Sequence, residues 1–311
     1  MLVLSQAQVR ELLDVDELID ALERALVELS AGRSSVPPRT AAFVPDERGM
    51  LASMPGYVDG VLATKLVSVF HHNAELGLPS HQGVIAVFDS ANGTPLALMD
   101  GAYITAVRTG ATSAVSTRAL AREDAKVLAV VGGGVQGRSH LEAARRVRDF
   151  DEIRVASRNP QSAAALAADF GALVAPSIEE AVRGADVVCL CTQASEPVIR
   201  REWLAGGAHV TSVGSAIELD AATVEAADLL AIESRASAFQ PFPAGAQELA
   251  GRDPEAAVEL GEVLSGTRPG RTRATQLTVY KSTGHAVEDA AAAALVLRRA
   301  QQEGVGTIVG L

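Results

Sequence analysis

The sequence predicts an α/β chain in which a doubly wound parallel sheet is joined to a second, α+β domain. Three observations carry that prediction. From residue 126 onward, short apolar strand patterns alternate with helical ones, the signature of serial β-α-β units with right-handed crossovers. Residues 39–100 instead hold short β-type runs separated by turn clusters. Hydrophobic residues make up 48 % of the chain but aromatics only 4 %, a mixture that suits helices packed closely on a parallel sheet. At 311 residues two domains are expected.

In chain order, Ser5 can cap a first helix, and Asp14 or Asp16 a second, amphipathic one through ELIDALERALVELS. Gly32 and residues 34–38 break it. The runs TAAFV, LASMP, VLATKLVSVF and GVIAVFD follow, separated by PDERG and SANGTP, and predict an antiparallel or mixed sheet. Small residues dominate 104–120, as in a helix lying very close to its neighbours. The strand KVLAVV then enters GGGVQG, with a helix expected to begin near Arg138 and EIRVAS as the second strand. Later strands are read at ALVA, ADVVCLCT, AHVTSVG, LLAIES and QLTVYKSTG, and a final helix from about Ala286 to Glu303. The expected division is 1–120, completed by 286–311, and 121–285.

The strongest functional signal is VLAVVGGGVQG at 127–137, with Gly132, Gly134 and Gly137 in G-x-G-x-x-G spacing. The first glycine permits a tight turn, the second lets backbone approach a pyrophosphate, and the third lets helix and strand pack closely. The helix N-terminus at Val135 and Gln136 adds unpaired N–H groups and a partial positive charge. These features predict a Rossmann-type dinucleotide site. At the end of the second strand, Ser157, Arg158 and Asn159 stand where an NAD-selective site carries a carboxylate. A guanidinium there can grip a 2′-phosphate, so NADP is expected over NAD. Thr192 and Gln193, at a later strand end, fall where such sheets place ligands.

Other classes are disfavoured. With 27 basic and 38 acidic residues the formal charge is −11, a poor match for nucleic acid or an anionic membrane. MLVLSQAQVRELL lacks the pattern of a signal peptide, and the Ala-rich run near the end is too short to span a bilayer. Cys189 and Cys191, the only two cysteines, alternate along one strand as small core residues. They exclude a disulfide framework and point to a reducing, cytoplasmic setting. His71 and His72, read at a strand end, diverge and have no partners for a metal set, so no metal is expected.

Arg39, Lys65 and Arg108 each interrupt a largely apolar or small-residue run. Burying a cation is costly unless an anion or a ligand meets it, which marks the three as candidate anion ligands or structural ion pairs. In company with PPRT (37–40), TKLVS (64–68), LPSHQG (78–83), PLALMDG (95–101), TAVRTGATSA (105–114) and YKSTGHAVED (280–289), the chain resembles the ornithine cyclodeaminase/mu-crystallin family along nearly its whole length. The echo is strongest with the mu-crystallin-like ketimine reductase branch. The resemblance implies a homodimer joined through the first domain, a nicotinamide cofactor on the second, and a small imino or amino acid as substrate. It also implies that Arg39, Lys65 and Arg108 hold the substrate carboxylate. Lys65 and His81 are the candidate proton donors, and Thr109, Thr112 and Ser282 lie toward the nicotinamide side.

Two departures from the family pattern bear on the reaction. Ala216, in VGSAIELD, stands where cyclodeaminases and related alanine dehydrogenases carry an Asp, and Ala52, in GMLASMP, stands where ornithine cyclodeaminase has a carboxylate. Glu218, in the shortened loop, is the one nearby acid that could substitute. The losses favour reduction of a small, cyclic imino acid to an L-amino acid. The alternatives are an amino-acid dehydrogenase, an ornithine or lysine cyclodeaminase, or a non-enzymatic small-molecule binder of mu-crystallin type.

Overall fold

The computed structural model describes residues 1–215 and 217–310. They form two compact units, Met1–Arg108 with His285–Leu311, and Thr109–Gly284.

In the first unit, helix α1 (Gln6–Leu12) starts at Ser5, whose hydroxyl accepts from the Gln8 backbone while the Gln8 side chain accepts from the Ser5 N–H, a reciprocal cap. Asp14, not Asp16, caps α2 (Val15–Ser30), accepting from the N–H groups of Asp16 and Glu17. The buried stripe of α2, including Leu18, Ile19, Leu22 and Leu26, belongs to a helix that packs on the C-terminal helix Ala286–Glu303. That helix also lies on the sheet, so closely that a Cβ at Gly56 would sit 3.1 Å from the Ala286 Cβ.

The sheet contains β1 (Leu2–Leu4), β2 (Thr40–Val44), β3 (Gly49–Val58), β4 (Val61–Val69), β5 (His81–Asp89) and β6 (Pro95–Asp100). Its order is Thr307–Ile308, β1, β6, β5, β4, β3, β2, and every described pair is antiparallel except β1 with β6. The expected mixed sheet is therefore present. His71 and His72 are not on a strand end but in a 3-10 turn, His71–Leu76, where His72 Nδ1 meets Glu75 Oε1 at 3.1 Å.

Helix α3 (Gly101–Leu120) begins in the first unit and ends in the second. The boundary thus falls inside the helix, between Arg108 and Thr109, rather than after 120. The reason is packing: a Cβ at Gly110 would strike the backbone of Ser139 and His140, and Ser113 Oγ lies 2.9 Å from His140 Nε2. The small-residue run makes this approach possible.

The second unit holds β7 (Val127–Val131), β8 (Glu152–Ala156), β9 (Leu173–Val174), β10 (Val187–Leu190), β11 (His209–Val213), β12 (Leu229–Ile232), β13 (Val258–Glu259) and β14 (Thr278–Ser282). All are parallel, in the order β13-β12-β14-β11-β10-β7-β8-β9. After β9 the chain returns to the other side of β7, so the strand order reverses between β7 and β10. Ligands of doubly wound sheets sit outside the carboxyl ends of the strands at such a switch point. Cys189 is buried on β10 and Cys191 lies just past its end; both pack into one apolar cluster.

Candidate active site

The carboxyl end of β7 is built as the glycines predict. Gly132 has φ +119°, and a Cβ on it would strike the Cys191 carbonyl; one on Gly137 would strike the Gly132 carbonyl. A Cβ on Gly134, by contrast, would meet nothing within 4 Å. The turn is closed where it must be tight and open at the one glycine where a ligand's phosphates would approach. Helix α4 runs from Val135 to Val147, starting three residues before Arg138, because Gly134 takes the cap position with extended backbone and no side-chain cap. Its first-turn N–H groups therefore face outward at a positive helix end. These residues fit a dinucleotide pyrophosphate.

At the end of β8 the three candidates divide. Asn159 caps the helix Pro160–Phe170 through the N–H groups of Gln161 and Ser162, so its side chain is committed to the fold. Ser157 Oγ accepts from the Asn159 N–H and from Ser162 Oγ. Arg158 is exposed and has no hydrogen-bond or ion-pair partner among the described residues.

Two other candidate hydroxyls donate to buried carboxylates. Thr192 Oγ1 and the Thr192 N–H both reach Glu218 Oε1 at 2.7 Å, while Ser212 Oγ and the Val213 N–H reach Oε2 at 2.7 and 3.1 Å. Glu218 is fully buried and ties the ends of β10 and β11 together. Ser282 Oγ donates to Glu233 at 2.6 Å, and Glu233 also accepts from the N–H groups of Thr283 and Gly284. Thr109 and Thr112 are buried on α3.

The first unit brings the three predicted cations together. Lys65, on β4, is 2 % exposed, and Arg108, on α3, is 4 % exposed. Both meet acids from the first turn of the C-terminal helix. Lys65 Nζ lies 2.8 Å from Asp289 Oδ1 and Arg108 Nε 3.0 Å from the same oxygen, while Arg108 Nη1 is 2.6 Å from Glu288 Oε2. The charge of Arg39 also acts on Lys65. Burial, then the charge of Arg108, pushes the Lys65 ammonium down to about 8 against the opposing pull of Asp289. Burial raises Asp289, but Arg108 and Lys65 outweigh it and hold the carboxyl below its ordinary range. Lys65 and Arg108 are thus balanced by Asp289 and Glu288, with the charge of Arg39 acting on the same site.

His81 opens β5 in an exposed position, with Nδ1 3.1 Å from Ser80 Oγ. Crowding by neighbouring atoms, then the charges of His71 and Lys65, holds its imidazole below the usual range. Ala52 is buried on β3 in the register of Val67. Ala216 lies outside the described residues. Glu288 and Asp289 were not singled out by sequence reasoning. Their signal was two adjacent acids opening an otherwise Ala-rich helix, which reads equally well as a favourable helix-end charge.

Residues 1–304 match the family model described as the ornithine cyclodeaminase/mu-crystallin family. The mouse (Mus musculus) ketimine reductase mu-crystallin is 40 % identical over 290 residues, covering 90 % of each chain. A Bacillus cereus delta(1)-pyrroline-2-carboxylate reductase is 34 % identical and covers 98 % of each. The solved structure of the Thermococcus litoralis delta(1)-pyrroline-2-carboxylate reductase with NADH and L-proline superposes with a TM-score of 0.92 at 35 % identity, covering 99 % of this chain and 100 % of that one.

Proposed function

The chain belongs to the ornithine cyclodeaminase/mu-crystallin family, and from that premise we propose that it is an NAD(P)H-dependent reductase of small cyclic imino acids. The substrates are of the Δ1-pyrroline-2-carboxylate or Δ1-piperidine-2-carboxylate type, and the products are L-amino acids. The observation that carries the reading is the buried Lys65–Arg108–Asp289–Glu288 cluster, in which two acids hold the ammonium and the guanidinium in place. Bound NAD(P)H supplies the hydride that reduces the C=N carbon. Arg108 and Arg39 hold the substrate carboxylate, Arg108 kept in orientation by Glu288 and Asp289. Lys65 gives the imine nitrogen the proton it needs as C=N becomes C–N, with its acidity brought toward neutrality by burial.

The reading is tested by following NAD(P)H oxidation with the two cyclic imines and ammonia release from L-ornithine. Imine turnover without ammonia is expected. Ornithine cyclisation to proline would overturn the reading, since Glu218 is tied into the sheet and Ala52 offers no acid.

NADPH is the proposed partner in preference to NADH, because Arg158 is exposed and no carboxylate occupies 157–159. Arg158→Ala should weaken NADPH binding on the order of 10–100-fold, as for loss of a charge-assisted hydrogen bond, and leave NADH nearly unchanged. Equal losses in a fluorescence titration would remove the 2′-phosphate assignment.

A homodimer through the first unit is supported by the sheet face opposite the buried one. Leu51, Tyr57, Leu66 and Val84 are each between 38 % and 51 % exposed there, alternating with buried Ala52, Met54 and Val67, and such a patch marks an interface. Light scattering should give twice 32.2 kDa, and Leu66→Glu should shift the mass toward the monomer.

A further inference from the structure

The two carboxylates of the cluster are adjacent in sequence and equally buried, but their partners differ. Glu288 is bonded to Arg108, through Oε2. Asp289 uses a single oxygen, Oδ1, to accept from both Lys65 Nζ and Arg108 Nε, and its other oxygen, Oδ2, is buried without a partner. We propose that Asp289 is a positioning residue for the reaction, which aims the Lys65 ammonium and keeps a proton on it, while Glu288 orients Arg108. The proposal rests on the reductase reading above and assigns a part in it to a residue that acts through Lys65.

The charges that face Lys65 make the division of labour unequal. Arg108 on α3 and Arg39 before β2 both disfavour its protonated form, as does burial on β4, while the coupling of Lys65 with His81 on β5 adds a further cation whenever that ring is protonated. Asp289 is the group that opposes them, by charge and by a direct 2.8 Å bond. Asp289 itself stays ionised at neutral pH, since Arg108 and Lys65 hold it low. A buried amine facing two guanidiniums with no carboxylate would lose its proton. It would then have none to give to an imine nitrogen, although the residue and its packing remained.

Asp289→Asn keeps the shape and one acceptor oxygen but removes the charge. Two measurements follow kcat/KM for Δ1-pyrroline-2-carboxylate against pH, and the titration of the Lys65 Nζ by nitrogen NMR in the ligand-free protein, with Lys65→Met assigning the signal. In Asp289→Asn the alkaline limb and the NMR titration should both move to lower pH by about one unit or more, a loss of about fivefold or more in kcat/KM at pH 8 and about tenfold or more well above it. Asp289→Glu, which restores a carboxylate, should move both back toward wild type and covers the case in which the Asn variant does not fold. Glu288→Gln should raise KM and leave both titrations in place. If Asp289→Asn titrates where wild type does, or Glu288→Gln shifts as far as Asp289→Asn, the proposal is overturned. A wild-type protein that reduces no imine would instead overturn the reductase reading, and the NMR titration would still decide whether Asp289 controls Lys65.

Discussion

Replacing Lys65 with arginine is expected to lower kcat for cyclic imines by about 10²–10⁴-fold, the usual contribution of general acid catalysis, while NAD(P)H binding stays near wild type. The substitution keeps a positive charge beside Asp289 but removes a proton that can leave, because guanidinium holds its proton far above neutral pH. The wild-type lysine is suited to proton donation, since burial and Arg108 bring it to about 8, near the operating range where a general acid is most effective. Its activity should accordingly fall as pH rises through about 8. The same depressed value sets a linkage. Between about pH 8 and the ordinary lysine range near ~10.4 the unfolded chain binds more protons at this residue than the folded one. Lys65 therefore costs stability below that window and the cost is relieved as pH rises through it. Stopped-flow measurement of the hydride step at saturating imine checks the kinetic claim. A Lys65→Arg enzyme that keeps at least half of the wild-type rate there would remove Lys65 as the donor.

The doubly wound unit was legible because its signals are local. The glycine spacing, the strand before it and the helix after it each follow from backbone requirements that no distant residue can override: Gly132 needs its positive φ, and Gly137 has a carbonyl where its Cβ would be. The start of α4 was misplaced by three residues because the glycine-rich turn hides the cap: the glycine itself, not a polar side chain, takes that position. The three cations were legible as charges inside apolar runs. What Lys65 and Arg108 meet was not, since Glu288 and Asp289 come from a helix 180 residues or more away in the chain, and only the folded first unit brings them together. The same holds for Thr192 and Ser282. Their types suggested ligand hydroxyls, yet each donates its proton to a buried glutamate at a neighbouring strand end, leaving lone pairs rather than a hydrogen for any ligand. Glu218, read in a loop as a spare acid, is likewise engaged: its buried carboxylate accepts four hydrogen bonds from β10 and β11 and their ends.

Replacing Arg108 with methionine is expected to destabilise the protein by about 3–5 kcal/mol and to raise KM for the imino acid steeply. The stability effect follows from burial. Arg108 is the shared partner of Glu288 and Asp289, which are 0 % and 1 % exposed, and removing one partner of a buried ion pair leaves charge uncompensated. Methionine fills much of the volume, so the loss reports charge rather than a cavity. The pH dependence gives the sign. Asp289 is held below its ordinary value in the wild type, so it contributes stability above about pH 4, and that contribution is lost as pH falls through its folded value. Without Arg108 the depression weakens and burial opposes ionisation. The deficit of Arg108→Met should therefore be largest at neutral pH and narrow toward about pH 3–4. Arg108→Lys separates the two roles. It returns a charge to the acids and should recover part of the stability, but a single ammonium cannot present the planar fork that holds a carboxylate and Glu288 at once, so KM should stay high. Urea unfolding between about pH 4 and 8, with KM measured beside it, is the check. A deficit that is flat across that range would mean that the Glu288–Arg108–Asp289 contacts carry little of the stability assigned to them.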